Sequence, residues 1–179
     1  MQTIHSTLTL LMQQPRLLVL ISLLVVAALI DSYHWRIPNP LSLCGSFVGL
    51  RLASMEPAST GLALAMALGG WLAGLVLTLP LYAVGALGGG DVKLFAMVGT
   101  FIGPVHMPAA VLLVFITGGV LALLRVMRQR DWWTRWVGGY RRGGASLGRM
   151  PYALSICLGS LLYVAVFEPQ GLQWSHVAA

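Results

Sequence analysis

Apolar residues run along this chain in long blocks, separated by short polar or glycine-rich breaks, and strand-like alternation is not the governing pattern. The blocks predict a first helix from Leu17 to Ile30 and a second from Leu41 to Leu52. They predict further helices from Gly61 to Tyr82, Asp91 to about Ile102, Pro108 to Leu124 and Tyr152 to Phe167. Gly61 to Tyr82 is a full membrane length, whereas the second and fourth blocks are short for a bilayer. The second block carries Gly45 and Gly49 and the third Gly70 and Gly74, each a small-x-x-x-small face suited to close helix contact. Asn39 followed by Pro40 has the chemistry of an N-cap and first helical position for the second helix.

Composition supports the same class. At 179 residues, 58% hydrophobic and 9% charged, the chain is too apolar for a soluble domain of this size. The expected fold is all-α, one polytopic membrane domain over residues 1–179 with about six transmembrane helices. A signal peptide ending near Ala27-Ala28 is the weaker reading of the first block, because no basic segment precedes it. Cys44 and Cys157 stand alone in apolar runs, and the four histidines form no H-E-x-x-H, so no metal and no cofactor is expected.

The net charge of +6 is distributed with a bias. If the helices alternate, nine of the eleven basic residues fall on one side: Arg36, Lys93 and the seven arginines between Arg125 and Arg149. Only Arg16 and Arg51 fall on the other. The positive-inside rule makes the richer side cytoplasmic. The loop 125–149 interleaves arginines with Trp132, Trp133, Trp136 and Tyr140, which beside a membrane suggests contact with anionic headgroups and not with nucleic acid. Its Gly144-Ala145-Ser146-Leu147-Gly148 matches G-x-S-x-G only by letters, since a nucleophile elbow needs a strand and a hydrolase sheet.

The chain holds only five acids, and two of them sit at the edges of apolar blocks. Asp31 closes the first, with Ala28, Ala27 and Leu24 on its helical face. Asp91 opens the fourth after Gly88, Gly89 and Gly90, which remove every Cβ from the approach and allow a positive φ. Leu94, Phe95 and Val98 share its face, while Lys93 points elsewhere and is expected to snorkel to the interface. An ionisable group at a membrane span is by default functional. Two such carboxylates facing one another would share a proton, as in an aspartic protease. The competing readings are a helix-capping Asp91 with an Asp31 paired to Arg36, and a transporter subunit binding a cation between the two aspartates.

Together, Asp31, the segment Arg36-Ile37-Pro38-Asn39, the stretch Gly88 to Leu94 and Pro151-Tyr152 give the chain a resemblance to the type IV prepilin peptidases. It is most similar to the short, single-activity form that serves Flp pili in tight-adherence systems. The resemblance implies an endopeptidase of the bacterial inner membrane that removes prepilin leaders at the cytoplasmic face, working beside the pilus assembly and secretion machinery. It places catalysis on Asp31 and Asp91, with Gly88, Gly89, Gly90, Arg36, Pro38, Asn39, Pro151 and Tyr152 supporting the site or the substrate. The longer members carry an N-terminal cytoplasmic region with paired cysteines that goes with N-methylation; this chain shows neither, so methyltransferase activity is not expected. Preflagellin and presenilin-like proteases share G-x-G-D, and cleavage within the membrane is the alternative.

Overall fold

The computed structural model describes residues 15–34, 38–55, 60–128 and 152–167. Among them are six helices and no strand: α1 (Pro15–His34), α2 (Asn39–Ser54), α3 (Thr60–Ala83), α4 (Gly89–Ile102), α5 (Met107–Arg128) and α6 (Tyr152–Phe167). Three contain stretches long and apolar enough to cross a bilayer, Arg16–Tyr33, Gly61–Ala83 and Met107–Leu124, as a polytopic membrane protein requires.

The fourth block departs from a simple span. α4 has 14 residues, which at 1.5 Å per residue is roughly 21 Å against a hydrocarbon core of about 30 Å. It is instead the enclosed centre of the bundle, in contact with all five other helices. Every residue from Leu94 to Ile102 is buried. An all-round apolar helix suits that place, since no face of it needs to meet water.

Glycines make the enclosure possible. A Cβ on Gly70 would run into the Gly99 carbonyl, and one on Gly74 would come to 2.6 Å from the Phe95 carbonyl oxygen, so α3 and α4 touch backbone to backbone. Gly45 and Gly49 instead leave room for the side chains of Met97 and Thr100, bringing α2 against the other flank. α5 and α6 meet at Gly159 against the Val114 backbone, and Phe95 of α4 stacks on Phe115 of α5 at 6.4 Å.

α3 ends in a left-handed glycine. Gly85 has φ +76°, with Gly85 N donating to the Tyr82 carbonyl (3.0 Å) and Ala86 N to the Leu81 carbonyl (2.8 Å). This is the Schellman pattern that stops a helix at a residue without a Cβ. The positive φ expected within Gly88 to Gly90 therefore lies three residues upstream; Gly88 itself is extended, with φ −79° and ψ 152°. The turn is made before the glycine triplet, and the triplet is left to start α4.

Candidate active site

One end of the bundle gathers the last turn of α1 and the first turns of α2, α4 and α6. Asp31 on α1 is only 7% exposed, and Leu24, Ala27 and Ala28 beneath it are buried in the core. The two small alanines leave room for α6, whose Ala153 backbone N–H donates to Asp31 Oδ2 at 3.1 Å. Ala153 is in the first turn of α6, where helical N–H groups have no intrahelical partner and the helix dipole favours a negative charge. A carboxylate from elsewhere in the chain fills that role.

Asp91 takes the same kind of contact from its own helix. α4 begins at Gly89 with Gly88 as N-cap, two residues earlier than the sequence suggested, so Asp91 is the third helical residue and not the cap. Its Oδ2 accepts the Gly88 N–H at 3.1 Å, half of a capping box. Each aspartate thus commits one oxygen to a helix N-terminus. Among the described residues no donor reaches the other oxygen of either.

The two carboxylates, sixty positions apart in the chain, are close enough to feel each other. Burial pushes the Asp91 carboxyl from the ordinary 3.8 up to about 6; the Gly88 hydrogen bond opposes the rise, and the Asp31 charge adds to it. Tyr152, the residue before Ala153, lies within electrostatic reach of Asp91 and packs its ring on Phe115 at 6.3 Å. Among the described residues no three of His, Cys, Asp and Glu gather as metal ligands.

A model of the type IV leader peptidase family matches residues 18–123, more than half of the chain and a span that holds both aspartates. The chain belongs to this family. Neither a curated protein nor a solved structure matches it. The matched span ends before α6, so the helix that supplies the Ala153 contact lies outside it.

Around the aspartates of this leader peptidase the remaining residues take specific places. Gly88 and Gly89 are exposed at the mouth; a Cβ on Gly88 would come to 3.0 Å from Asp91 Oδ2, and one on Gly89 would touch the Tyr82 ring at 3.5 Å. Gly90 is half-buried in the first turn of α4. Pro38, extended at φ −67° and ψ 130°, is the true N-cap of α2 and makes no side-chain cap bond. Asn39, expected to cap, is already helical, and its side-chain oxygen accepts a hydrogen bond from Lys93 Nζ at 2.8 Å. Lys93 is exposed, as a snorkelling side chain is, and it also makes this contact with a second helix. Arg36, Pro151 and most of the loop 125–149 lie outside the described residues.

Sequence reasoning missed Ala153 and the Lys93 partner. A backbone donor carries no residue-type signature, so only the neighbouring Pro151-Tyr152 pointed to the Ala153 position. Lys93 and Asn39 are 54 positions apart, and nothing in either segment announces the other.

Proposed function

We propose that this leader peptidase is an aspartic endopeptidase that removes the leader from type IV prepilins of the Flp kind at the cytoplasmic face of the bacterial inner membrane, without methylating the new N-terminus. The observation that carries the reading is the convergence of Asp31 and Asp91 at one mouth, each with one oxygen held by a helix N-terminus. Asp91, with its raised affinity for a proton, is the proton-bearing member, and Asp31 is the base. Asp31 takes a proton from water as its oxygen adds to the scissile carbonyl carbon, while Asp91 protonates the carbonyl oxygen. Collapse of the tetrahedral diol breaks the C–N bond; the amine leaves with the proton from Asp31, and Asp91 takes back the proton of a diol hydroxyl as the product carboxyl forms.

The whole chain acts as one domain in this reading, and the arginines of the loop 125–149 bind anionic lipid headgroups. Pilus assembly and secretion machinery are the expected neighbours in the membrane. The decisive experiment is cleavage of a prepilin leader by purified wild type, Asp31→Asn and Asp91→Asn. Both variants should fold and insert, and both should be inactive. Wild-type turnover in either refutes the dyad.

Intramembrane cleavage is the second reading, supported by the enclosure of α4 and the burial of Asp31. Cleavage of a transmembrane segment in preference to a prepilin leader would select it. A transporter would bind its ion near the midplane; both carboxylates instead lie at helix ends.

A further inference from the structure

The mouth is tied together by a contact that the two-aspartate reaction does not use. Lys93 Nζ donates to Asn39 Oδ1 at 2.8 Å, joining the second turn of α4 to the first turn of α2. An ammonium can only donate, so the amide oxygen and not the amide nitrogen must face it. Both side chains are exposed, and exposed polar pairs add little to stability. The value of the contact is therefore geometric.

Its place in the chain says what it can set. Asn39 follows Asp31 by eight residues, and Lys93 follows Asp91 by two. The bond therefore shortens the path along the chain between the aspartates to eight residues from Asp31 to Asn39 and two from Lys93 to Asp91. On the opposite flank, Asp31 is held by the Ala153 N–H of α6. α4 itself is locked against α3 by Gly70 and Gly74. α1 is thus held at its end by α6 and packs along α2, whose start is tied to Lys93.

α2 starts after Pro38 with no side-chain cap, and Asn39, the first helical residue, turns its amide to the neighbouring helix. Position also argues against a direct charge effect. Lys93 is two residues from Asp91, about 200° around the helix, and the Asp91 environment is set by burial, Gly88 and Asp31.

We propose that Lys93 and Asn39 are positioning residues whose hydrogen bond sets the separation of Asp31 and Asp91, and so the geometry in which the shared proton and the water are held. The proposal rests on the aspartic peptidase reading above. A displaced carboxylate affects the chemical step more than substrate binding, so breaking the bond lowers kcat and leaves KM nearly unchanged.

The test is a double-mutant cycle with Asn39→Ala, Lys93→Met and the pair, assayed on a prepilin leader peptide, with Lys93→Arg alongside. Each single variant should lose roughly tenfold in kcat, the pair should lose no more than either single, and Lys93→Arg should recover most of the activity. Asn39→Ala keeps the lysine charge. If it retains wild-type kcat while Lys93→Met is impaired, Lys93 acts by itself and the proposal is overturned; additive losses, or no loss in either, overturn it equally. A second measurement needs no substrate: the protonated-carboxyl infrared band of Asp91, isolated by difference from Asp91→Asn. In Asn39→Ala its titration midpoint should fall toward that seen in Asp31→Asn, because the two charges have moved apart. A midpoint unchanged from wild type overturns the positioning role. Failure of wild type to cleave any leader, with the infrared shift intact, would instead count against the peptidase reading alone.

Discussion

Asp91→Asn should make the protein inactive and, at neutral pH, more stable. The folded protein holds the Asp91 proton up to about pH 6, whereas an ordinary aspartate releases it near 3.8. Below 3.8 both states are protonated, and above 6 neither is. Between the two values only the folded state keeps the proton, so stability falls as pH rises through that window and stays at the lower level above it. Roughly two pH units at 1.36 kcal/mol each set an upper limit of about 3 kcal/mol, and partial contact with water brings the expectation to between about 1 and about 3 kcal/mol. Asparagine has no charge to desolvate, and its side-chain oxygen can still accept the Gly88 N–H. Thermal unfolding of both proteins in detergent, followed by circular dichroism at several pH values between 4 and 8, measures the difference. The asparagine variant should gain on wild type as pH rises, by roughly 2–4 °C for each kcal/mol in a chain of this size. Titrating groups other than Asp31 are common to both proteins and cancel; Asp31, whose charge raises the Asp91 value, is relieved of that repulsion in the variant, which acts in the same direction. A difference that stays flat from pH 4 to 7, or a variant that loses stability relative to wild type, would refute the account of Asp91 as a buried carboxyl charged at a cost.

The same protonation state governs turnover: the active form carries the proton on Asp91, so kcat/KM should decline as pH rises through a limb centred near 6, and a limb only above 8 would remove Asp91 as the acid. Gly70→Ala drives a Cβ into the Gly99 backbone and should lower stability by about 1–3 kcal/mol, with loss of cleavage. Gly61→Ala, with nothing within 4 Å of the added carbon, should be neutral or stabilising; equal effects of the two would discredit the backbone contact of α3 and α4. Cysteines at Ser32 and Gly88 should be labelled only from the cytoplasmic side and one at Ser59 only from the periplasmic side, the reverse pattern inverting the topology. Neutralising Arg141 with Arg142 should weaken lipid association, yet leave KM for a leader peptide in detergent unchanged; a several-fold rise would make the loop a substrate contact.

The helical class was legible in the chain because apolar blocks of membrane length, broken by glycine, proline and charge, admit few other solutions. Asp31 and Asp91 could be singled out for a related reason: in a chain with five acids, a carboxylate at the edge of an apolar block is costly enough to stand out. Gly70 and Gly74 were readable as a close-packing face, though not that the partner backbone would be α4. What tertiary structure alone decided is which groups meet. A 14-residue apolar segment reads alike as a short span or an enclosed core helix, and only the five surrounding helices make α4 the latter. Asn39 has the chemistry to cap its own helix, but the helix begins after Pro38 and the Asn39 side chain meets Lys93 of another helix. Asp31 finds its donor 122 positions away in a backbone N–H, a group that every residue except proline possesses and that no sequence pattern can mark. Local preference is written along the chain, but a hydrogen bond between distant segments depends on the relative placement of whole helices, which is set by the sum of their packing.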